Sequence, residues 1–212
     1  MALTYALTTV ARQKEFLGIT GTTYDTVLDR LIDSCTDWIE SYCDRRFKQT
    51  TYTNELYRGR DATILQLKNF PVNSSSTFTL ERRDSTLNEG NYSAIDNELY
   101  VVDYTSGIVR LVGAQDIGFI TMDSFRNIPS YYRITYTAGY DYNNTSTFLS
   151  TTGAADLEYA AWKLVGAAFN QRKLSGNIES EKIGDYSVTY TKEAIMDDEI
   201  QSILARHRRI AG

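Results

Sequence analysis

Histidine occurs once in the 212 residues, and cysteine, proline and tryptophan twice each. One histidine, His207, and two cysteines with no C-x-x-C spacing cannot supply a zinc site of the usual ligand sets. Cys35 and Cys43 fall in one helical pattern, where a rise of about 1.5 Å per residue holds them ~12 Å apart. A disulfide tolerates Cα separations up to about 7 Å, so both thiols are expected to stay reduced. The sequence has no G-x-x-x-x-G-K-[ST] loop and no G-x-G-x-x-G turn, the usual cradles for nucleotide phosphates. No stretch reaches the ~20 apolar residues of a membrane span, and the opening MALTYALTTVARQK lacks a signal-peptide core. These absences predict a soluble chain made without an export signal.

Positive charge is also scarce. Lys and Arg number 22 against 27 Asp and Glu, a net charge of −5 with a pI near 5.0. Dedicated nucleic-acid binders are basic over the whole domain, because phosphate contacts release counterions. This balance excludes that class, though not a local basic patch. Tyrosine is abundant, 16 residues against 8 Phe. Such an excess suits either half-wet interfaces or a tyrosine-rich sheet.

Periodicity organises the chain. Thr9 to Leu17 reads as a short helix stopped by Gly18. Thr22 and Asp25 resemble a weak capping box. The clearest stripe follows: Val27, Leu28, Leu31, Ile32, Cys35, Trp38, Ile39, Tyr42 and Cys43. Its steps of three and four predict an amphipathic helix with Asp29, Asp33, Asp37 and Glu40 on the wet face. Arg45 and Arg46 would complement its C-terminal dipole.

From Phe47 to Tyr140 the period changes to two. Strands are expected at Gln49–Tyr57, Ile64–Leu67, Ser76–Glu81, Leu99–Val102, Ile108–Leu111 and Tyr131–Tyr136, with DYTSG joining a hairpin. Residues 82–130 read as excursions from the sheet. Helix returns at Ala154–Lys173, rich in small residues and apolar on two sides. Leu157, Leu164 and Ala168 lie on one side, and Trp162, Val165 and Phe169 on the other. A β-type pair is expected near Ile183–Tyr190, then a last helix over Met196–Ile210 with Ile200, Ile203, Leu204 and His207 as its buried edge.

The expected class is α+β: a helical core with an inserted antiparallel β domain. Its parts are an N-terminal helical part (1–48), a β-rich insertion (49–140) and a C-terminal helical part (141–212) that completes one core with the first.

Catalytic constellations are hard to build. His207 stands among Arg206, Arg208 and Arg209 at a helix end, and no nucleophile is indicated beside it. Asp197-Asp198-Glu199 could be read as a glycosidase cluster, but three acids opening a helix more often compensate its dipole. The sequence predicts no enzyme, no cofactor and no metal. Arg45-Arg46 and Arg82-Arg83 read as capping and solvated loop charges, whereas Arg206, His207, Arg208 and Arg209 end a terminal helix and are candidates for a partner contact.

The order of these elements resembles the head-to-tail connector (adaptor) proteins of tailed bacteriophages. The likeness begins with ARQKEFLGI and LDRLIDSCTDWIESYCDRRF. It continues through LKNFPV, RITYTAGY, the Ala-rich helix and SEKIGDYSVTY, and ends at ARHRRI. The resemblance implies a structural protein of the virion neck, made in the host cytoplasm and serving genome ejection. It implies a ring, usually of twelve copies, docked under the portal, with DNA passing through the lumen and no membrane contact. A head-closure (stopper) or tail-completion protein would bind next. On this likeness Arg206, His207, Arg208 and Arg209 are the candidate portal contact, and the helix carrying Trp162, Val165 and Phe169 is the candidate subunit-packing element. The acidic balance suits a conduit that should not grip its cargo. Another phage morphogenesis protein, such as a tail terminator or minor head protein, is the alternative. A hydrolytic enzyme in the β-rich part is a third reading.

Overall fold

A computed structural model describes residues 4–84, 91–112, 124–172, 180–183, 186–189 and 197–209, and it has the expected α+β class. Contacts divide the chain into two compact units, one of Met1–Arg45 with Asp141–Arg208 and one of Arg46–Tyr140 with Arg209–Gly212.

In the first unit, helix α1 (Val10–Leu17) starts where the Thr9 hydroxyl accepts from the Arg12 N–H at 3.3 Å. It stops at Gly18, whose φ of +64° is the left-handed conformation that glycine adopts without a Cβ penalty. Helix α2 (Asp25–Cys43) buries Leu28, Ile32, Thr36, Ile39, Glu40 and Cys43. The buried stripe is therefore narrower than the apolar pattern: Trp38 is 42% exposed and stacks on Tyr42. Glu40, expected on the wet face, is buried. The Thr22–Asp25 capping box does not form. Tyr24 occupies the cap without a side-chain bond, and Asp25 pairs with Lys14 at 2.8 Å. Arg45 is likewise no exposed dipole partner, because it is buried and donates to the His207 carbonyl at 3.3 Å.

Helix α3 (Ala155–Gln171) is the shared wall of this unit, since it touches α1, α2 and α4 (Asp198–His207). Small residues make that possible. Gly166 lies against Leu17, where an added Cβ would already stand 3.4 Å from the leucine methyl. Leu28 and Ile32 pack with Val165 and Phe169 in one apolar cluster. Both cysteines are free, and burial raises each thiol from 9.0 to about 11. Strands β8 (Ser180–Ile183) and β9 (Tyr186–Thr189) form an antiparallel pair between α3 and α4. The ends of the expected last helix, Met196 and Ile210, lie outside the described residues.

The second unit holds two antiparallel sheets. One runs in the order β1 (Thr50–Tyr57), β7 (Tyr132–Ala138), β3 (Thr79–Arg83), β4 (Tyr92–Ala94), and the other β2 (Ile64–Gln66), β6 (Ile108–Leu111), β5 (Tyr100–Asp103). The expected hairpin is the β5–β6 pair. Strand β3 lies a few residues later than expected, and β4 was not foreseen in a segment read as an excursion. Strand β7 alternates as a half-buried strand should, with Tyr132, Ile134, Tyr136 and Ala138 all inward. Much of the tyrosine excess goes into this core, where Tyr52 stacks on Tyr136 and Phe125 meets Tyr132 edge-on.

A bulge sets the chemistry of that core. Tyr52 pairs with Tyr136 and Glu55 with Ile134, so β1 carries one residue more than β7 between them, and Asn54 has φ +56°. The extra residue resets the alternation and brings Glu55 onto the same face as Tyr52 and Tyr57.

Candidate interaction site

The C-terminal basic cluster does not act as one group. Asp156, in the first turn of α3, receives two of its members: Arg206 Nη2 at 3.1 Å and His207 Nε2 at 3.0 Å. Arg208 instead lies over the Tyr42 ring, 5.5 Å from its centroid, a cation–π distance. Arg209 belongs to the second unit, where it lines a groove described below. The expected order of charge along α4 is observed, with Asp198 and Glu199 in the first turn and Arg206 and His207 in the last. Asp197 is its cap and accepts from the Ile200 N–H at 2.8 Å. Lys163 pairs with both Asp197 and Glu199 and holds the Asp197 carboxyl below its usual range. These acids therefore serve a helix start and an ion pair, which is the bland reading of the triplet.

The three aromatic-edge candidates also separate. Val165 and Phe169 are buried inside their own unit, packed on α2. Trp162 remains at the surface, half-buried, with its ring 5.7 Å from that of Phe16 and its indole N–H donating to the Thr8 hydroxyl at 2.7 Å. Val165 and Phe169 are therefore occupied within the unit, and Trp162 with Tyr159 and Phe16 of α1 forms the aromatic edge left partly at the surface.

Sequence reading missed a buried carboxylate of this unit. Glu158 is fully buried beside Trp162 on α3. It accepts from Arg12 Nε at 2.8 Å, from the Thr8 hydroxyl at 3.1 Å and from the Ser150 N–H at 3.0 Å. The Arg12 guanidinium lies between Phe148 and Trp162, 4.6 and 5.2 Å from their ring centroids. Every lone-pair direction of the carboxylate is used, as a buried charge requires. Nothing in the spacing of residues 12 and 158 announces the pair.

The second unit has a groove of about 820 Å³. Its lining includes Arg58, Arg60, Lys68 and Arg209 together with Leu56 and Ile64, and no carboxylate among the described residues. Behind the lining residue Tyr57, the phenols of Tyr57 and Tyr136 donate to one Glu55 oxygen at 2.5 and 2.7 Å and meet each other at 2.8 Å. Burial first, and then the neighbouring Tyr136 and Glu55, push the Tyr57 phenol well above its ordinary range. Lys68 closes the set at 3.3 Å from Glu55. Among the described residues no cluster of His, Cys, Asp and Glu is placed to hold a metal ion, and no helix is long and apolar enough to cross a membrane.

Helices gathered round a small-residue wall, with a β unit between them in sequence, define an α+β protein. Residues 6–210 match the model of the head completion protein family, and the chain belongs to that family. Among solved structures it is similar to a chain in the neck of an empty GTA particle computed with C6 symmetry, at TM-score 0.55 and 15% identity over 100% of this chain and 94% of that one. It is also similar to a chain in the neck of a native GTA particle computed with C12 symmetry, at TM-score 0.48 and 16% identity over the same shares. A chain in the virion of the native gene transfer agent particle matches at TM-score 0.48 and 15% identity, again over 100% and 94%. No curated protein matches the sequence.

Proposed function

We propose that the chain is a structural head-to-tail adaptor of a phage-like virion. Copies of it close into a ring of twelve in the neck, dock under the portal, extend the DNA channel and present a surface to a stopper or tail-completion protein. The observation that carries this reading is the family match across residues 6–210. The shared fold with a chain from a neck computed with C6 symmetry supports the ring. On this reading the chain works by assembly rather than catalysis, and the 22-to-27 charge balance keeps the ring from trapping the genome.

The end of α4 is the proposed portal contact, through Arg206 and Arg208. Both are exposed, and their present partners Asp156 and Tyr42 are partly exposed too, so exchange for an acidic rim costs little. Truncation after Leu204 is a poor test, because it removes the carbonyl that the buried Arg45 uses. The Arg206→Ala/Arg208→Ala double variant is cleaner. It should keep the circular dichroism of the wild type and lose binding to portal-bearing heads. Retained binding with unchanged salt sensitivity would move the contact elsewhere. For the role itself, particles made without this gene product should accumulate as heads lacking tails. Normal tailed particles would refute the adaptor reading.

A further inference from the structure

The two units carry different charge. Residues 1–45 and 141–208 hold 11 basic and 17 acidic side chains, net −6, whereas residues 46–140 and 209–212 hold 11 and 10, net +1. At the groove of the second unit the described lining carries four cations, of which Lys68 is paired with Glu55 behind it while Arg58 and Arg60 are exposed. Its rim is also apolar, with Leu56 46% and Ile64 44% exposed. A phosphodiester backbone matches the cations but leaves that aliphatic rim uncovered. An acidic surface with an exposed aromatic ring matches both.

The first unit offers such a surface. Its exposed large apolar side chains, among the described residues, are Phe16 and Trp38. Phe16 sits on the edge that carries Arg12. Trp38 stands on α2, with Asp37 beside it and Asp33 one turn before Asp37. We infer that the basic groove of one copy receives the Asp33–Asp37–Trp38 edge of α2 from the next copy, as the lateral contact of the ring. The contact joins two different patches, so it is heterologous and repeats around a closed ring instead of ending in a two-fold dimer. It rests on the adaptor reading, and its strength falls with salt because Arg58 and Arg60 on one side and Asp37 on the other are exposed.

Charge reversal in the full chain tests it. Arg58→Glu/Arg60→Glu reverses the groove, and Asp33→Lys/Asp37→Lys reverses the helix edge. Sedimentation velocity from low micromolar to near-millimolar chain should show wild-type association, with each variant weakened at least tenfold. An equimolar mixture should recover it, since each groove then meets a matching edge on the other variant. Arg60→Glu alone, at an exposed position, gives the same direction if the double variant does not fold. Wild-type association that neither variant weakens would overturn this contact and leave the ring standing. A wild-type chain that closes as a two-fold dimer, or stays monomeric throughout, would overturn the ring and the contact together. Groove variants that lose retention on double-stranded DNA while associating normally would make the groove a phosphodiester site and overturn the proposal.

Discussion

Each unit shields a carboxylate from solvent, Glu158 fully buried and Glu55 half-buried, and the two satisfy it differently. In the helical unit Glu158 is held by a guanidinium, a hydroxyl and a backbone N–H from segments far apart in sequence. In the β unit Glu55 is held by two phenols from neighbouring strands, with Lys68 at the rim. Helices expose few backbone donors except at their ends, so a buried acid on α3 must be met by side chains and by the short turn that precedes the helix. A sheet aligns side chains on one face at fixed spacing, so a single bulge suffices to deliver an acid to a row of tyrosines. The helical unit thus meets its buried charge with side chains from distant segments. The β unit spreads its polar core over neighbours whose loss is felt locally.

That contrast can be broken by substitution. Glu158→Ala would strand the Arg12 guanidinium between two aromatic rings, and should cost about 3–5 kcal/mol in urea unfolding followed by tryptophan fluorescence. Both tryptophans, Trp38 and Trp162, report on the helical unit. A loss below ~1 kcal/mol would mean that the pair is not the link argued here. Next in size is Ile39→Ala, at a fully buried position of α2, with about 2–5 kcal/mol lost. Trp38→Ala, one residue away and largely exposed, should stay within ~0.5 kcal/mol by the same measurement. Equal effects would return Trp38 to the core stripe.

Tyr57→Phe removes one of the phenols on Glu55 and should cost about 1.5–3 kcal/mol, the range for a hydrogen bond to a charged group. Hydrogen exchange should locate the change in the β unit alone. If α1 and α3 also exchange faster, the two units are not energetically separate.

A further test is at high pH. The folded Cys35 and Cys43 thiols are raised from 9.0 to about 11, so they favour folding fully below pH 9 and lose that contribution as pH climbs toward 11. The phenols of Tyr57 and Tyr136 start from 10.0 and are raised further, so the β unit begins to lose stability only above pH 10. Tryptophan fluorescence in a stability series from pH 8 to about 11 should show the helical unit weakening from about pH 9. The Cys35→Ala/Cys43→Ala variant should flatten its early limb.

Much of this architecture was legible because its signals are local. The Thr9 cap and Gly18 stop, the step-of-three-and-four stripe of α2, the hairpin around Gly107 and the acidic start of α4 all act within a few residues. The sequence misled where a neighbour decides the outcome. Trp38 has the period of a core residue but is 42% exposed, and Glu40 has the chemistry of a surface residue but is buried. Likewise Arg206, His207, Arg208 and Arg209 look like one basic tip, yet they go to Asp156, Tyr42 and a groove lining. The bulge at Asn54 left no mark in the alternation read from β1, because a one-residue insertion is defined only against the partner strand.

Composition and period alone determined the α+β class, the reduced thiols, the acidic balance and the positions of the main helices, since each follows from the chain's own covalent order. Which tyrosines are core and which acids are buried was decided only by the tertiary structure. So was the meeting of Arg12 with Glu158 and of Arg60 with Leu56 and Ile64. The reason is that burial and pairing belong to the space between elements: a side chain's cost or benefit is set by whatever the fold places against it, and no spacing along the chain records that neighbour.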